Sequence, residues 1–357
     1  MLLSVSVLVS GQSIPGRDRL VAHEWGTFTS VADEDGSAVQ WLPQAGPTDL
    51  PDFVGRITCN LKASLAGKIR METPVIYFYA PRDMTVSVRV RFPQGVMTEW
   101  FPRPTGTVEG IVNQAFRGDI SWARVDVRPG QPATFPTEPR KNHYYVARET
   151  DAAPLEVGAE RERFLFYRGV GRLAPPIHAR VMPNGQIVIS HASGGALGDI
   201  ILFENRDGAT AYAAQHTSAA RAAFNPLVVE AESPSPQLPL QKLLVAHGLY
   251  PREAKAMVES WRGSWFEQGT RLFYIMSGAA VDAMLPLDID PQPADVTRVF
   301  VGRIEIPTQA TLREVKVALQ KGDRTRLAQY GRFLEPLARQ LSLSVPATTS
   351  REACPRR

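Results

Sequence analysis

At 357 residues, 44% of them apolar, the chain is long enough to bury a large core and, by length, to form two domains. Forty Lys and Arg stand against 36 Asp and Glu, a net charge of +4 with no dense basic run carrying interleaved aromatics, which argues against a nucleic-acid partner. Beyond the amino terminus no stretch reaches the roughly 18 apolar residues of a membrane span, so no transmembrane segment is expected; two cysteines, Cys59 and Cys354, are too few for a disulfide framework.

The segment 1–13, MLLSVSVLVSGQS, is apolar and then small and polar, as in the hydrophobic region and cleavage zone of a secretory signal, although the usual preceding basic residues are missing. It predicts a periplasmic or secreted protein, with residues 1–20 as leader and linker; a buried amino-terminal strand is the other reading. In an exported chain a Cys59–Cys354 bond is allowed, and two free thiols are the alternative. Residues 21–31, VAHEWGTFTSV, read as a strand, followed by a turn at 32–36 and a return strand at 38–42. The strongest pattern spans 73–92. Residues 75–79 are apolar on both faces, as in an interior strand, whereas Met84, Val86, Val88, Val90 and Phe92 alternate with Thr85, Ser87, Arg89 and Arg91. Pro81 presets a turn between the two, so a central hairpin is expected.

Further strands are predicted at 98–101, 121–127, 143–147, 163–168 and 200–203, with a hairpin over 177–191. In that hairpin a two-residue turn at Asn184-Gly185 would set His178 opposite His191, within reach of one metal ion. A three-residue loop opened by Pro183 instead pairs Val181 with Ile187 and Ala179 with Ile189, which gives the cleaner apolar face. The overall class is mainly β, with an antiparallel β-sandwich-like domain over 21–229. The Pro/Ser-rich stretch 230–239 predicts a boundary. Beyond it a smaller α+β domain is expected at 240–343. A helix at 240–247 stops at Gly248. A second, opened by Pro251, puts Ala254, Met257, Val258 and Trp261 on one face. Strands follow at 271–277 and 297–306, then a helix capped by Thr311 and Glu314. A last helix at 324–341 is broken by Gly331 and Pro336, and 344–357 read as a disordered tail.

No nucleophile elbow, zinc-binding His-Glu-x-x-His helix, phosphate-binding loop or dinucleotide fingerprint is present. The chemistry-bearing candidates are polar residues beside strongly apolar strands: His23, Glu24, Glu72 and His143. Imidazole and carboxylate groups drawn from separate strands are the donor set of a divalent transition metal site. Cleavage before His23 would also free an amino terminus able to grip copper. Trp25, Tyr144 and Tyr145 are candidates for stacking on a ligand. His216 and His247 read as ordinary loop and helix-end residues.

The runs HEWGTFTSV (23–31), METPVIYFY (71–79) and RFPQG (91–95) resemble a group of exported bacterial proteins of unassigned function. The resemblance covers most of the chain and implies export, without an activity or a site. Two functions are expected from these observations. One is an exported binding or assembly protein for a small molecule, a glycan or another protein. The other is a metal-dependent hydrolase or oxidoreductase using His23, Glu24, Glu72 and His143.

Overall fold

The first predicted strand, β1 (Val21–Val31), forms with the expected bounds, and all eleven of its residues are buried. It belongs to a computed structural model that describes residues 19–44, 49–58, 64–230 and 235–345; the apolar amino-terminal segment, both cysteines and residues 346–357 lie outside the described residues. In chain order there follow β2 (Gly55–Arg56), β3 (Ile69–Tyr79), β4 (Met84–Arg91), β5 (Gly95–Phe101) and β6 (Asp119–Val127). Next come β7 (Leu155–Val157), β8 (Glu160–Glu162), β9 (Leu165–Gly171), β10 (Ile177–Val181) and β11 (Ile187–His191). β12 (Gly198–Arg206), β13 (Ala209–Thr217) and β14 (Arg221–Phe224) precede two helices, Gln237–Ala246 and Pro251–Trp265. The remaining strands are β15 (Gly269–Ile275), β16 (Leu287–Asp290) and β17 (Asp295–Ile306), and short helices between 309 and 340 follow them.

The protein is mainly β. A nine-stranded sheet runs β13-β12-β15-β17-β1-β3-β9-β5-β2, and two smaller sheets run β16-β4-β6-β7-β8 and β10-β11-β14. One face of the large sheet, through Ile76, Phe78 and Phe28, packs against Val86, Val88 and Trp122 of the five-stranded sheet and Ile187 and Ile189 of the three-stranded one. This is the expected sandwich. The other face, through Trp25, Val75 and Tyr77, packs on Met257, Trp261 and Leu244 of the two helices. A third apolar cluster holds Val31 and Trp41 against Val315, Tyr330, Phe333 and Leu337.

The predicted central hairpin does not form. β3 and β4 are joined by a turn but lie in different sheets, facing each other through the core. The cause is visible in the pattern: β3 is buried on both faces and needs a partner on each edge, which β1 and β9 supply. The division at 230–239 is likewise no division of the sheet. β15 and β17, both beyond it, sit between β12 and β1, and β17 runs parallel to β1 from Val21↔Asp295 to Val31↔Glu305. A parallel pair needs a long connection, and here it is nearly the whole chain.

Smaller departures have local causes. Residues 143–148 form a 3-10 turn capped by Asn142, not a strand. The helix Gln309–Lys321 is capped by Thr308, three residues before the predicted Thr311. The return strand at 38–42 reduces to the single bridges Ala32↔Ala38 and Trp41↔Gly67. The hairpin β10–β11 takes the three-residue register, Val181↔Ile187 and Ala179↔Ile189, with His178 opposite Ser190. The left-handed φ of +82° at Gly185 is what that loop requires.

Because β15 and β17 complete the sheet beside β1, a fragment ending near residue 230 lacks two interior strands. We expect such a fragment to give poor amide dispersion in NMR spectra and no cooperative urea transition, whereas a separate amino-terminal domain would show both.

Candidate functional site

The four predicted metal ligands are distributed over three separate bonding systems. His23 and Glu24 are neighbours on β1 and point to opposite faces. His23 Nδ1 lies 2.8 Å from Glu253 Oε2, and the Tyr79 hydroxyl donates to Glu253 Oε1 at 2.8 Å. The Tyr250 N–H donates to Glu253 Oε2 as well, at 2.8 Å. Glu24 accepts from Arg298 Nε at 2.6 Å and from the Tyr167 hydroxyl. Val21 and Ala22, paired with Tyr79 and Phe78, are buried ahead of His23. Trp25 and Tyr144 are core side chains, the latter donating to Glu162 at 3.1 Å. Tyr145 is half-buried, with its hydroxyl accepting from the Glu138 N–H at 3.0 Å and the Arg148 guanidinium 4.8 Å from its ring. Neither Trp25 nor Tyr144 offers a free aromatic face. Among the described residues no three His, Cys, Asp or Glu side chains gather as a metal-ligand set.

Glu72 and His143 belong to a buried seam of charge between the two helical clusters. Arg70 Nη1 donates to Glu72 at 3.2 Å, and Arg70 and Arg168 both reach Asp49, at 3.4 and 2.7 Å. Arg303 and Arg271 hold Glu305 at 3.3 and 3.0 Å. Burial works to raise the Asp49 carboxyl, but Arg168 and Arg70 outweigh it and hold the group far below the ordinary carboxylate range. The backbone is strained here: Thr73 has φ +45°, and its hydroxyl accepts from Arg168 at 3.3 Å. The strain accompanies paired irregularities, between Trp25 and Thr27 in β1 and between Met71 and Val75 in β3. At Gly26 a Cβ would fall 2.7 Å from the Phe300 ring and 3.1 Å from Pro74 Cα, so the bulge depends on glycine.

An open site lies elsewhere. A cleft of about 770 Å³ forms where the start of β12, the end of β15 and β17 meet the three-stranded sheet. Three of the six histidines line it: His191, His216 and His247. Asp199 grips two of them, Oδ1 lying 2.8 Å from His216 Nδ1 and Oδ2 lying 2.9 Å from His247 Nε2. Burial works to raise the Asp199 carboxyl, yet the bonds from His247 and His216 prevail and hold it below its ordinary value. An ionised carboxylate only accepts, so each imidazole carries its proton on the nitrogen facing Asp199. The outer nitrogens, His216 Nε2 and His247 Nδ1, point away from the carboxylate and are acceptors in the neutral ring and donors in the protonated one. Across the cleft Arg298 is neutralised by Glu24 and by Asp282, which accepts from it at 2.7 Å.

This cluster went unread in the sequence, although half of it carries a local signal. Asp207-Gly208 is a two-residue hairpin turn, and pairing Arg206 with Ala209 across it brings Asp199 opposite His216. His247 comes from the end of a helix 31 residues further on, and nothing local announces it.

No family model matches the chain, and no curated protein does. The solved structures it is similar to include the yeast delta-COP-I mu-homology domain, alone and complexed with the Dsl1 WxWxV peptide. Each is 9% identical over 82% of this chain and 98% of that one, with TM-scores of 0.26 and 0.25. Likeness of that degree carries no argument about function. Among the described residues no helix is long and apolar enough to cross a membrane.

The seam makes a pH effect. Burial pushes the His143 imidazole down to about 4, with Arg168 and Arg70 acting the same way and Asp49 opposing them. Between that value and an ordinary one near 6.5, the unfolded chain binds a proton that the folded chain refuses. The His143 contribution therefore makes stability fall as pH is lowered from about 6.5 to about 4. Urea titrations of the wild type and His143→Gln across this range should diverge, the variant being the less pH-sensitive of the two.

Proposed function

We propose that the protein is exported and acts as a binding protein, holding a small ligand rich in hydrogen-bond donors, a glycan residue or an amine, in the cleft of Asp199. The observation that carries this reading is the single carboxylate occupied through both oxygens by two imidazoles. It orients both rings and turns His216 Nε2 and His247 Nδ1 away from the carboxylate. Arg298, the one Arg or Lys of the lining, is paired with Glu24 and Asp282, and Asp199 adds a carboxylate, so the cleft suits hydroxyl and ammonium groups better than anions. Leu197, Ile275 and Met276 supply apolar wall, the usual partner of a few convergent polar groups in a small-molecule site.

Support for export rests on the apolar segment 1–13 and on the resemblance of HEWGTFTSV and METPVIYFY to exported proteins. Expression from the full reading frame in a bacterial host should release a chain shortened by fewer than about 20 residues into the periplasm. Intact-mass measurement reads the cut, and a full-length cytoplasmic product would remove this part of the proposal.

For the ligand, thermal-shift titration with monosaccharides, short oligosaccharides and alkyl amines should give a saturable rise in Tm with one class. His247→Ala and Asp199→Asn should each weaken that binding at least tenfold, about 1.4 kcal/mol. Equal shifts in wild type and both variants would place binding outside this cleft.

A further inference from the structure

β13 (Ala209–Thr217) closes one end of the nine-stranded sheet, so one of its two sides is an edge. An edge offers unpaired N–H and C=O groups to any other strand, and folds protect it by keeping it short or charged. The other outer strands of the three sheets follow that rule. β2, β8, β10, β14 and β16 each have five residues or fewer. Each also carries a charge, on Arg56, Glu160, Arg180, Arg221 and Asp288 in that order.

β13 departs from it. Its nine residues, ATAYAAQHT, include no Asp, Glu, Lys, Arg or Pro. Among the described residues its one outer pairing is the bridge Thr210↔Glu230, near its beginning. Beyond the ladder with β12, residues 211–217 make no main-chain hydrogen bond to another described residue. Alternate residues of a strand nevertheless turn their N–H and C=O groups to the outer side. Ala214, Gln215 and His216 are exposed.

The flanks are apolar. Tyr212 packs with Leu240 and Leu244, so the helix Gln237–Ala246 lies over this end of the sheet. Its only charged residue is Lys242. Leu238 and Val245, two turns apart and therefore on one side of that helix, are 66% and 40% exposed. Val228, in the stretch that leads from β14 back to the Glu230 bridge, is 77% exposed.

The edge matches its own copy. Two β13 strands set antiparallel about a two-fold axis at Gln215 bring Ala214 opposite His216 and Ala213 opposite Thr217, a small side chain against a larger one each time. At the axis Gln215 meets Gln215, and a carboxamide both donates and accepts, so the two can pair. No like charges face each other. The register leaves Thr210 to Glu230. A foreign peptide added to an edge is selected by pockets for its alternate side chains. β13 offers alanines there, and only His216 among its residues lines the Asp199 cleft. An isologous pair also closes after two copies, which leaves no edge to propagate from β13.

We propose that β13 pairs antiparallel with β13 of a second copy about a two-fold axis at Gln215, giving a dimer in which the two large sheets become one. The inference does not depend on the ligand reading of the Asp199 cleft.

The test uses the whole protein and sedimentation equilibrium over about 1–200 µM. A reversible monomer–dimer equilibrium is expected. Gln215 is exposed, so Gln215→Lys and Gln215→Glu should fold, which circular dichroism checks. Each sets two like charges at the axis and should raise the dimer Kd tenfold or more. An equimolar mixture of the two variants sets Lys against Glu and should return the Kd to near the wild-type value. A merely structural effect of either substitution would not be rescued by mixing. A protein that stays monomeric over this range overturns the proposal and leaves the edge to a foreign strand. So does a dimer whose Kd is unchanged in both variants, or one weakened by each and not restored in the mixture.

Discussion

The structure depends on β1 being paired along both edges, in parallel with β17 and antiparallel with β3. A strand so placed has no wet edge, and its two faces meet packed layers. Each polar side chain it carries must therefore find a partner inside the protein or stay unsatisfied. His23 finds Glu253 on the helical side, and Glu24 finds Arg298 and Tyr167 on the sandwich side. These contacts join β1 to a helix and to the last strand, at sequence separations of 230 and 274 residues. Losing one partner would leave the other charge buried and uncompensated, a loss of about 3–5 kcal/mol for pairs of this kind. His23 and Glu24 are thus committed to holding layers together.

The same constraint accounts for the charged seam. The helical face of the sheet is covered by two apolar clusters, one under the helices at 237–265 and one under those beyond 309. Between them lies a strip where Arg70, Glu72, Arg168, Arg303 and Glu305 project from adjacent strands. Arg70 meets Glu72 and Arg303 meets Glu305 two residues along the same strand and on the same face, Arg271 meets Glu305 across strands, and Asp49 from a loop answers Arg70 and Arg168. Arg271 adds carbonyl acceptors to its carboxylate, donating to the Trp265 and Gln268 oxygens at 3.0 and 2.7 Å. Such a strip does not have to stabilise more than apolar residues would. It does penalise every register but one, because a slip by a single residue would turn these charges into the sandwich core. Thr73 sits within it at a positive φ, held from its side chain by Arg168 and followed by a proline that Gly26 lets approach.

How far the sequence could be read follows from what is local and what is not. Strand and helix periods are local, so β1, β4, β17 and the helix at 251–265 were legible from spacing alone, as was the β10–β11 register from the demands of its turn. Partnership is not local. Nothing within 73–92 says that β3 would be enclosed by β1 and β9 while β4 crosses to another sheet. Nothing near 297–306 says that it would lie beside the first strand of the chain. The aromatic run at 143–147 resembles a strand because aromatic residues favour both strands and core turns; Asn142, capping the Tyr144 N–H at 2.9 Å, was the local sign of a turn. The candidate metal ligands do not converge for a related reason. His23, Glu24 and Glu72 stood out because they interrupt apolar strands, and that same setting guarantees burial and internal pairing.

A polar residue deep in a doubly paired strand is enclosed by its neighbours, whereas one at a strand end or in a turn can face solvent and still be positioned by the sheet. The open cleft of Asp199 obeys this. Asp199 is the second residue of β12, His216 the next to last of β13, and His247 the residue that ends a helix. The rigid centre fixes where those ends fall, to within a hydrogen bond in the case of Asp199 and its two imidazoles. The buried ionic ties and the exposed candidate sites are therefore consequences of one arrangement: the first give the sheet a single register, and that register sets the distances between groups at its margins. Recognition chemistry in this fold is to be sought where strands stop.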